Sequence, residues 1–100
     1  MTASSGISGQ AFESVWDALE DRPAEAANMR LRSALMIAVQ EAVVRWKLTQ
    51  AEAAHRLDVT QPRLNDLLRG RVDRFSLDAL ILLAERAGLS VSVRIKRAAA

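Results

Sequence analysis

Residues 49–70 read TQAEAAHRLDVTQPRLNDLLRG, and this stretch decides the fold of the chain. Thr49 is a favourable N-cap, and Glu52 stands three residues later, so the two can form a capping box. The helix that they begin should end near Leu57. Asp58 follows, and aspartate tolerates the left-handed backbone of a tight turn better than most residues. These residues predict a short helix followed by a turn.

A second short helix should follow that turn. Thr60 can cap it, and Pro62 falls in its first turn, where the missing N–H group costs little. Gly70 can end it as a left-handed C-cap.

The apolar residues of both helices fit a steep crossing. Leu64, Leu67 and Leu68 form an i, i+3, i+4 stripe that can face the first helix. Ala54 supplies a small residue for the crossing point, and Ala53 is the alternative. The stretch therefore predicts a helix-turn-helix over residues 49–70, and the alternative is an ordinary helical hairpin with a polar surface.

Polar side chains cover the outside of the second helix, and they are of the types that hydrogen-bond base edges. The residues expected to read bases of double-stranded DNA are Gln61, Arg63, Asn65 and Asp66. Arg63 could instead grip a phosphate, and Asp66 could either accept from cytosine or pair with a neighbouring arginine. Phosphate contacts are expected at the helix starts and in the basic loop, from Gln50, Thr60, Arg69, Arg71 and Arg74.

The motif resembles the Cro/C1-type (Xre) helix-turn-helix family. That family opens its first motif helix with glutamine, matched by Gln50, and has a small residue four positions on, matched by Ala54. Leu64 and Leu67 match its later core positions, whereas Asp58 stands where the family usually has glycine. The resemblance implies an all-α, lambda-repressor-like domain.

Helical periodicity predicts three more helices, which makes five. A short amphipathic segment carries apolar residues at i, i+3, i+4 and i+7 and should end near residues 21–23; these residues are Phe12, Val15, Trp16 and Leu19. It must dock either on the main body or on another protein. A long helix should span Ala24–Trp46, and another should run from its cap Ser76 to Gly88. Arg30, Arg32, Gln40, Glu41 and Arg45 are expected on the solvent side of the long helix.

The period changes after Gly88. Apolar residues then alternate with polar ones, at Leu89, Val91, Val93 and Ile95, which predicts a half-buried β-strand. No other segment predicts a strand to pair with it, so its partner should be the same strand of a second copy in a homodimer. The predicted domain therefore spans residues 12–96, after a disordered tail over residues 1–11.

The order of these elements is similar to the HigA-like branch of the Xre proteins. The blocks RFSLDAL at residues 74–80 and TQPR at residues 60–63 carry this resemblance most specifically. It implies a dimeric repressor of its own operon that binds a near-palindromic operator. It also implies neutralisation of a RelE-fold toxin, as the antitoxin of a HigBA-type pair. The segment with Phe12 and Trp16 is then the candidate toxin-binding surface, and the alternative is a stand-alone regulator without a toxin.

Composition restricts the remaining function classes. The net charge is +2, but residues 1–42 hold three arginines and six acids, whereas residues 43–100 hold eleven Lys/Arg and six acids. A basic second half fits a polyanionic partner. Since there is no cysteine and His55 is the one histidine, we expect no enzyme, no metal site and no cofactor. With neither a signal peptide nor a long apolar run, the expected location is cytoplasmic, without membrane contact.

Overall fold

The computed structural model describes the backbone of residues 10–98 and the side chains of residues 23–98. Within that part the chain is all-α, with helices α1 (Gln10–Trp46), α2 (Gln50–Leu57), α3 (Gln61–Leu68) and α4 (Leu77–Arg86). A 3₁₀ turn, Val72–Arg74, lies between α3 and α4. The chain divides after Arg30 into two compact units, and the packing described below belongs to the second.

The caps predicted for α2, α3 and α4 are all present. The Thr49 hydroxyl accepts from the Glu52 N–H at 3.1 Å, and the Glu52 carboxylate accepts from the Thr49 N–H at 3.0 Å, which completes the capping box. Thr60 and Ser76 accept from the backbone three residues on, at 3.2 and 3.1 Å. Each cap satisfies an N–H group that the helix itself cannot pair.

Left-handed residues end α2 and α3 in the same way. Asp58 has φ 58° and Gly70 has φ 75°. At the second of these turns the Gly70 N–H donates to the Leu67 carbonyl at 3.0 Å, and the Arg71 N–H donates to the Asp66 carbonyl at 3.1 Å. This is the Schellman arrangement, and it confirms the predicted turn at Asp58 and the predicted stop at Gly70.

The core of the second unit collects the apolar faces of all four helices. The largest side chains below 2% exposure are Phe75, Leu57, Leu64, Leu67, Leu80 and Val39. Both candidate crossing residues, Ala53 and Ala54, are buried. At the end of α1 the Arg56 guanidinium lies 4.0 Å from the centre of the Trp46 ring. This cation–π contact joins α1 to α2 outside the apolar core.

The predicted break near Pro23 is wrong. Helix α1 includes Pro23 and runs from Gln10 to Trp46, so the described residues contain four α-helices and not five. Proline removes a single N–H donor, and the residues that follow it, Ala24–Ala27, are helix formers. The bias against helix before proline is a preference, and here it does not stop the helix.

The predicted strand is also absent from residues 10–98. Leu89 and Val91 are half-buried against the core, as the alternation predicts, but Val93 and Ile95 are 79% and 90% exposed. A strand needs a partner, and this chain alone offers none. The alternating segment is therefore irregular in a single copy.

Several predictions lie outside the described residues. They concern the tail at residues 1–11, apart from the helical backbone at residues 10 and 11, and the side chains of Phe12, Val15, Trp16 and Leu19. Across the described helices, none is long and apolar enough to cross a membrane.

Glu52→Gln tests the charge in the capping box. The N–H and then the hydroxyl of Thr49 donate to the Glu52 carboxylate and lower the pKa of Glu52 below its ordinary 4.5. Because the pKa of Glu52 is lower in the folded state than in the unfolded state, the ionised carboxylate stabilises the fold at pH values above the unfolded-state pKa. This contribution is lost as the pH falls through the folded-state pKa.

Urea denaturation of both proteins, from neutral pH to about pH 3, should therefore show a difference in the free energy of unfolding that closes on acidification. Glu41→Gln, which removes an exposed carboxylate without a capping role, is the matched control. A difference that is unchanged at acid pH would contradict the prediction.

Candidate nucleic-acid interface

The outer face of α3 carries the two amide side chains predicted to read bases. Gln61 is exposed and Asn65 is half-exposed, and they stand one helical turn apart. Arg69, one turn further on, is exposed as well. Leu64 and Leu67 on the opposite face are fully buried, so the apolar contact of α3 with the core leaves this polar row accessible.

Two predicted phosphate contacts lie at the starts of the motif helices. Gln50 is the first residue of α2, Thr60 is the N-cap of α3, and both are exposed. The Thr60 oxygen already accepts from the Arg63 N–H, but its hydroxyl hydrogen remains able to donate. The positive ends of two helix dipoles therefore lie beside polar side chains, as anion binding requires.

Arg63, predicted to read a base or grip a phosphate, is engaged inside the protein. Its Nη1 donates to the Arg74 carbonyl at 2.7 Å, and its Cζ lies 3.8 Å from the centre of the Phe75 ring. Phe75 is 1% exposed, so the ring is fixed by the core. The guanidinium faces the loop after α3, and these contacts favour a supporting role over base contact.

Asp66, on α3, lies between two arginines of the loop that follows this helix. Its Oδ1 is 3.5 Å from Arg71 Nη1 and 3.4 Å from Arg74 Nη1. The Asp66 side chain is 19% exposed, against 38% for Arg71 and 54% for Arg74, so the acid is covered and the bases are accessible. Of the two alternatives for Asp66, the geometry favours pairing with arginine. One carboxylate thus holds together two of the predicted phosphate contacts.

Donors from α1 hold the end of α3 and the loop, and sequence reasoning missed both. Gln40 Nε2 donates to the Leu67 carbonyl at 2.7 Å, and Arg32 Nη1 donates to the Val72 and Phe75 carbonyls at 3.3 and 3.2 Å. Both were expected on the solvent side, and that expectation is wrong since both are half-buried. A signal existed: each stands four residues from the buried Met36, at positions on the apolar face.

Arg86 performs a similar task at the turn of the motif. Its Nη1 donates to the Leu57 carbonyl at 3.1 Å, and its Nη2 lies 3.7 Å from the Asp58 carboxylate. The last turn of α4 therefore holds the last turn of α2. Nothing in the spacing of the sequence pointed to this contact.

The accessible charge near α3 is mainly basic: Arg69, Arg71 and Arg74 outnumber the one exposed acid of the loop, Asp73. Among the described side chains, no group of three His, Asp or Glu residues is arranged to hold a metal ion. His55 is exposed on α2. The geometry offers hydrogen-bond donors and acceptors on a helix face beside a cationic loop, which is the chemistry of groove and phosphate recognition.

Comparison with known proteins agrees with this geometry. The sequence profile described as "Helix-turn-helix domain" matches residues 18–96. A solved structure that bears the name of an XRE family transcriptional regulator matches with 30% identity and a TM-score of 0.69, covering 76% of this chain and 91% of that one. None of the curated proteins compared matches the chain.

The two capped helices, their left-handed turn and the polar outer face of α3 define a helix-turn-helix protein. With the profile and the structural relative, the chain belongs to the XRE helix-turn-helix family.

Asp66→Asn tests the carboxylate between Arg71 and Arg74. The amide nearly preserves the shape but leaves two arginines without a counter-charge, so affinity for random DNA should rise more than affinity for the cognate operator. The log–log salt slope on random DNA should steepen by about 0.9, the value for one further neutralised phosphate.

Fluorescence anisotropy across a salt series measures both quantities. The matched control is Asp73→Asn, since Asp73 is exposed in the same loop and forms no ion pair among the described residues. Equal effects of the two substitutions would show that only the overall charge matters.

Proposed function

We propose that this protein is a sequence-specific DNA-binding transcriptional repressor. The observation that carries the proposal is the accessible row of Gln61, Asn65 and Arg69 on α3, next to a loop whose Arg71 and Arg74 are accessible. Helix α3 enters the major groove with its N-terminus first, as recognition helices of this motif do. Bound there, the protein blocks transcription from the promoter that contains the site.

Each part of this surface has a distinct role in the proposal. Gln61 and Asn65 read base edges, since glutamine and asparagine can bond adenine bidentately. Arg63 and Asp66 support the loop through their internal contacts and do not read bases. Phosphates are bound by Gln50, Thr60, Arg69, Arg71 and Arg74. The phosphate contacts fix the register of the protein on DNA, and the amides supply the specificity.

The proposed repressor acts as a homodimer. Residues 90–98 make no backbone hydrogen bonds within the part of the chain described, and Val93 and Ile95 are largely exposed. An apolar groove between α1, α4 and this segment is lined by Leu31, Leu77, Ile81 and Val93. A second copy would cover the groove and supply the missing strand partner for residues 89–95. Two-fold symmetry then requires a near-palindromic operator, with half-sites about 34–36 Å apart.

A second candidate function is that of an antitoxin, and one observation favours it. The helical backbone of α1 continues through residues 10–22, where the sequence carries Phe12, Val15, Trp16 and Leu19 at helical spacing. The acidic excess of residues 1–42 suits a basic protein partner such as a RelE-fold toxin. An open reading frame for such a protein beside this gene, and its co-purification with the chain, would support the antitoxin role. A neighbourhood without one favours a stand-alone regulator.

Gln61→Ala and Asn65→Ala test base reading. Each should cost about 1–3 kcal/mol on the cognate operator and little on random DNA, because each removes a base-edge contact. The operator is found by footprinting the protein on its own promoter, and affinities follow from anisotropy on that fragment. Arg71→Ala is the contrasting variant: it should weaken both DNAs alike and flatten the salt slope by about one unit. Losses on random DNA as large as those on the operator would remove both amides as base readers.

Val93→Pro tests the dimer. Proline removes the N–H that pairing with the second copy would use, whereas within one copy that N–H has no partner among the described residues. Sedimentation should show a dimer for the wild type and a monomer for the variant, with operator affinity falling in parallel. Val93→Thr, which keeps the N–H and nearly the same shape, is the control. A wild type that is monomeric at tens of micromolar and still binds one operator tightly would contradict the dimer.

A further inference from the structure

Arg32 is a cation held by backbone carbonyls. Its Nη1 donates to the carbonyls of Val72 and Phe75, the first residue of the 3₁₀ turn and the residue just after it. Among the described residues no carboxylate lies within ion-pair distance of Arg32. The side chain is half-buried, and its Nε has no hydrogen-bond partner there. A guanidinium in such a place is suited to holding the backbone, since a charged donor forms a stronger hydrogen bond to a carbonyl than a neutral donor does.

The loop that Arg32 holds is the one that presents the predicted phosphate contacts. Arg74 lies between the two carbonyls that Arg32 binds, and the Arg74 carbonyl itself accepts from Arg63 at 2.7 Å. The carbonyls of residues 72, 74 and 75 are thus all bound by guanidinium groups, from α1 and from α3. The backbone is fixed by internal cations, while the Arg71 and Arg74 side chains remain accessible.

Gln40 fixes the other end of the same segment. It stands eight residues after Arg32 on α1 and binds the Leu67 carbonyl at the end of α3. A Cβ on Gly70 would lie 3.8 Å from its Nε2, so the amide lies beside the turn that ends α3. Two side chains of one helix therefore hold the segment from Leu67 to Phe75 through three of its carbonyls.

We propose that Arg32 is a positioning residue for DNA binding. By binding the Val72 and Phe75 carbonyls it sets the loop so that Arg71 and Arg74 meet two phosphates at once. Arg32 does not touch DNA, and it acts through those two arginines. This inference rests on the proposed function, because it assigns the geometry of the same surface.

A double-mutant cycle tests this assignment, because coupled residues give non-additive losses. Arg32→Met is made in the wild type and in the Arg71→Ala/Arg74→Ala background, and operator binding is measured by anisotropy across a salt series. Arg45→Met is the matched control, since Arg45 is an exposed arginine on the same helix and its removal changes the charge equally. Circular dichroism and thermal unfolding show that each variant is folded.

In the wild-type background Arg32→Met should weaken operator binding roughly tenfold, a size typical of coupling between contacting residues. It should flatten the salt slope by about 0.9 for each phosphate that the protein no longer neutralises, whereas Arg45→Met should do neither. In the double-alanine background, at low salt, Arg32→Met should weaken binding almost no further. A role confined to stability would leave the salt slope of the folded variant unchanged and would overturn the proposal.

Arg32→Lys is measured in both backgrounds as well, and it decides the matter if the Met variant does not fold. Lysine keeps the charge with a shorter reach, so its effect on affinity should be smaller and should also vanish in the double-alanine background. An additive effect there would overturn the proposal, because Arg32 would then act independently of the two loop arginines. Arg32 substitutions that change operator affinity no more than Arg45→Met does would overturn it too. In that case, weaker binding by the Arg71→Ala and Arg74→Ala variants would leave the proposed function standing.

Discussion

The capture of helix-end carbonyls by side chains of neighbouring helices is the interaction on which the rest of this structure depends. Helices α2 and α3 have eight residues each, too few to be stable alone. Their ends leave carbonyls that no helix bond can satisfy. Arg86 binds the Leu57 carbonyl at the end of α2, and Gln40 is a second donor to the Leu67 carbonyl of α3, which also accepts from Gly70. These bonds, with the leucines beneath them, set the orientation of α3.

The motif was predictable because its signals are local. Thr49, Glu52, Thr60 and Gly70 bond backbone groups within a few residues of themselves, so type and spacing suffice to recognise them. The prediction of a break at Pro23 was wrong because one missing N–H does not outweigh the helix formers that follow. The strand was wrong for a single copy because pairing depends on a partner that the sequence of one chain does not contain.

The candidate site was less predictable than the fold because its side chains bond across long stretches of sequence. Arg32 and Gln40 bind carbonyls that lie between 27 and 43 positions further along the chain. Their position on an apolar face of α1 was the one sign of these bonds in the sequence. By residue type and position on α3, Arg63 cannot be told apart from an arginine that reads bases. Its guanidinium nevertheless contacts the buried Phe75 ring and the Arg74 carbonyl. Residue type on a helix face therefore identifies candidates, and the neighbours in space decide among them.

The donors that hold the motif also determine its modularity. Residues 49–70 contain the polar row on α3, but Gln40, Arg32 and Arg86 lie outside them, on α1 and α4. A graft of the motif alone into another scaffold would carry that row without the groups that orient it. Any transplanted unit must therefore include at least the span from Arg32 to Arg86, because the groups that orient α3 lie at both ends of it.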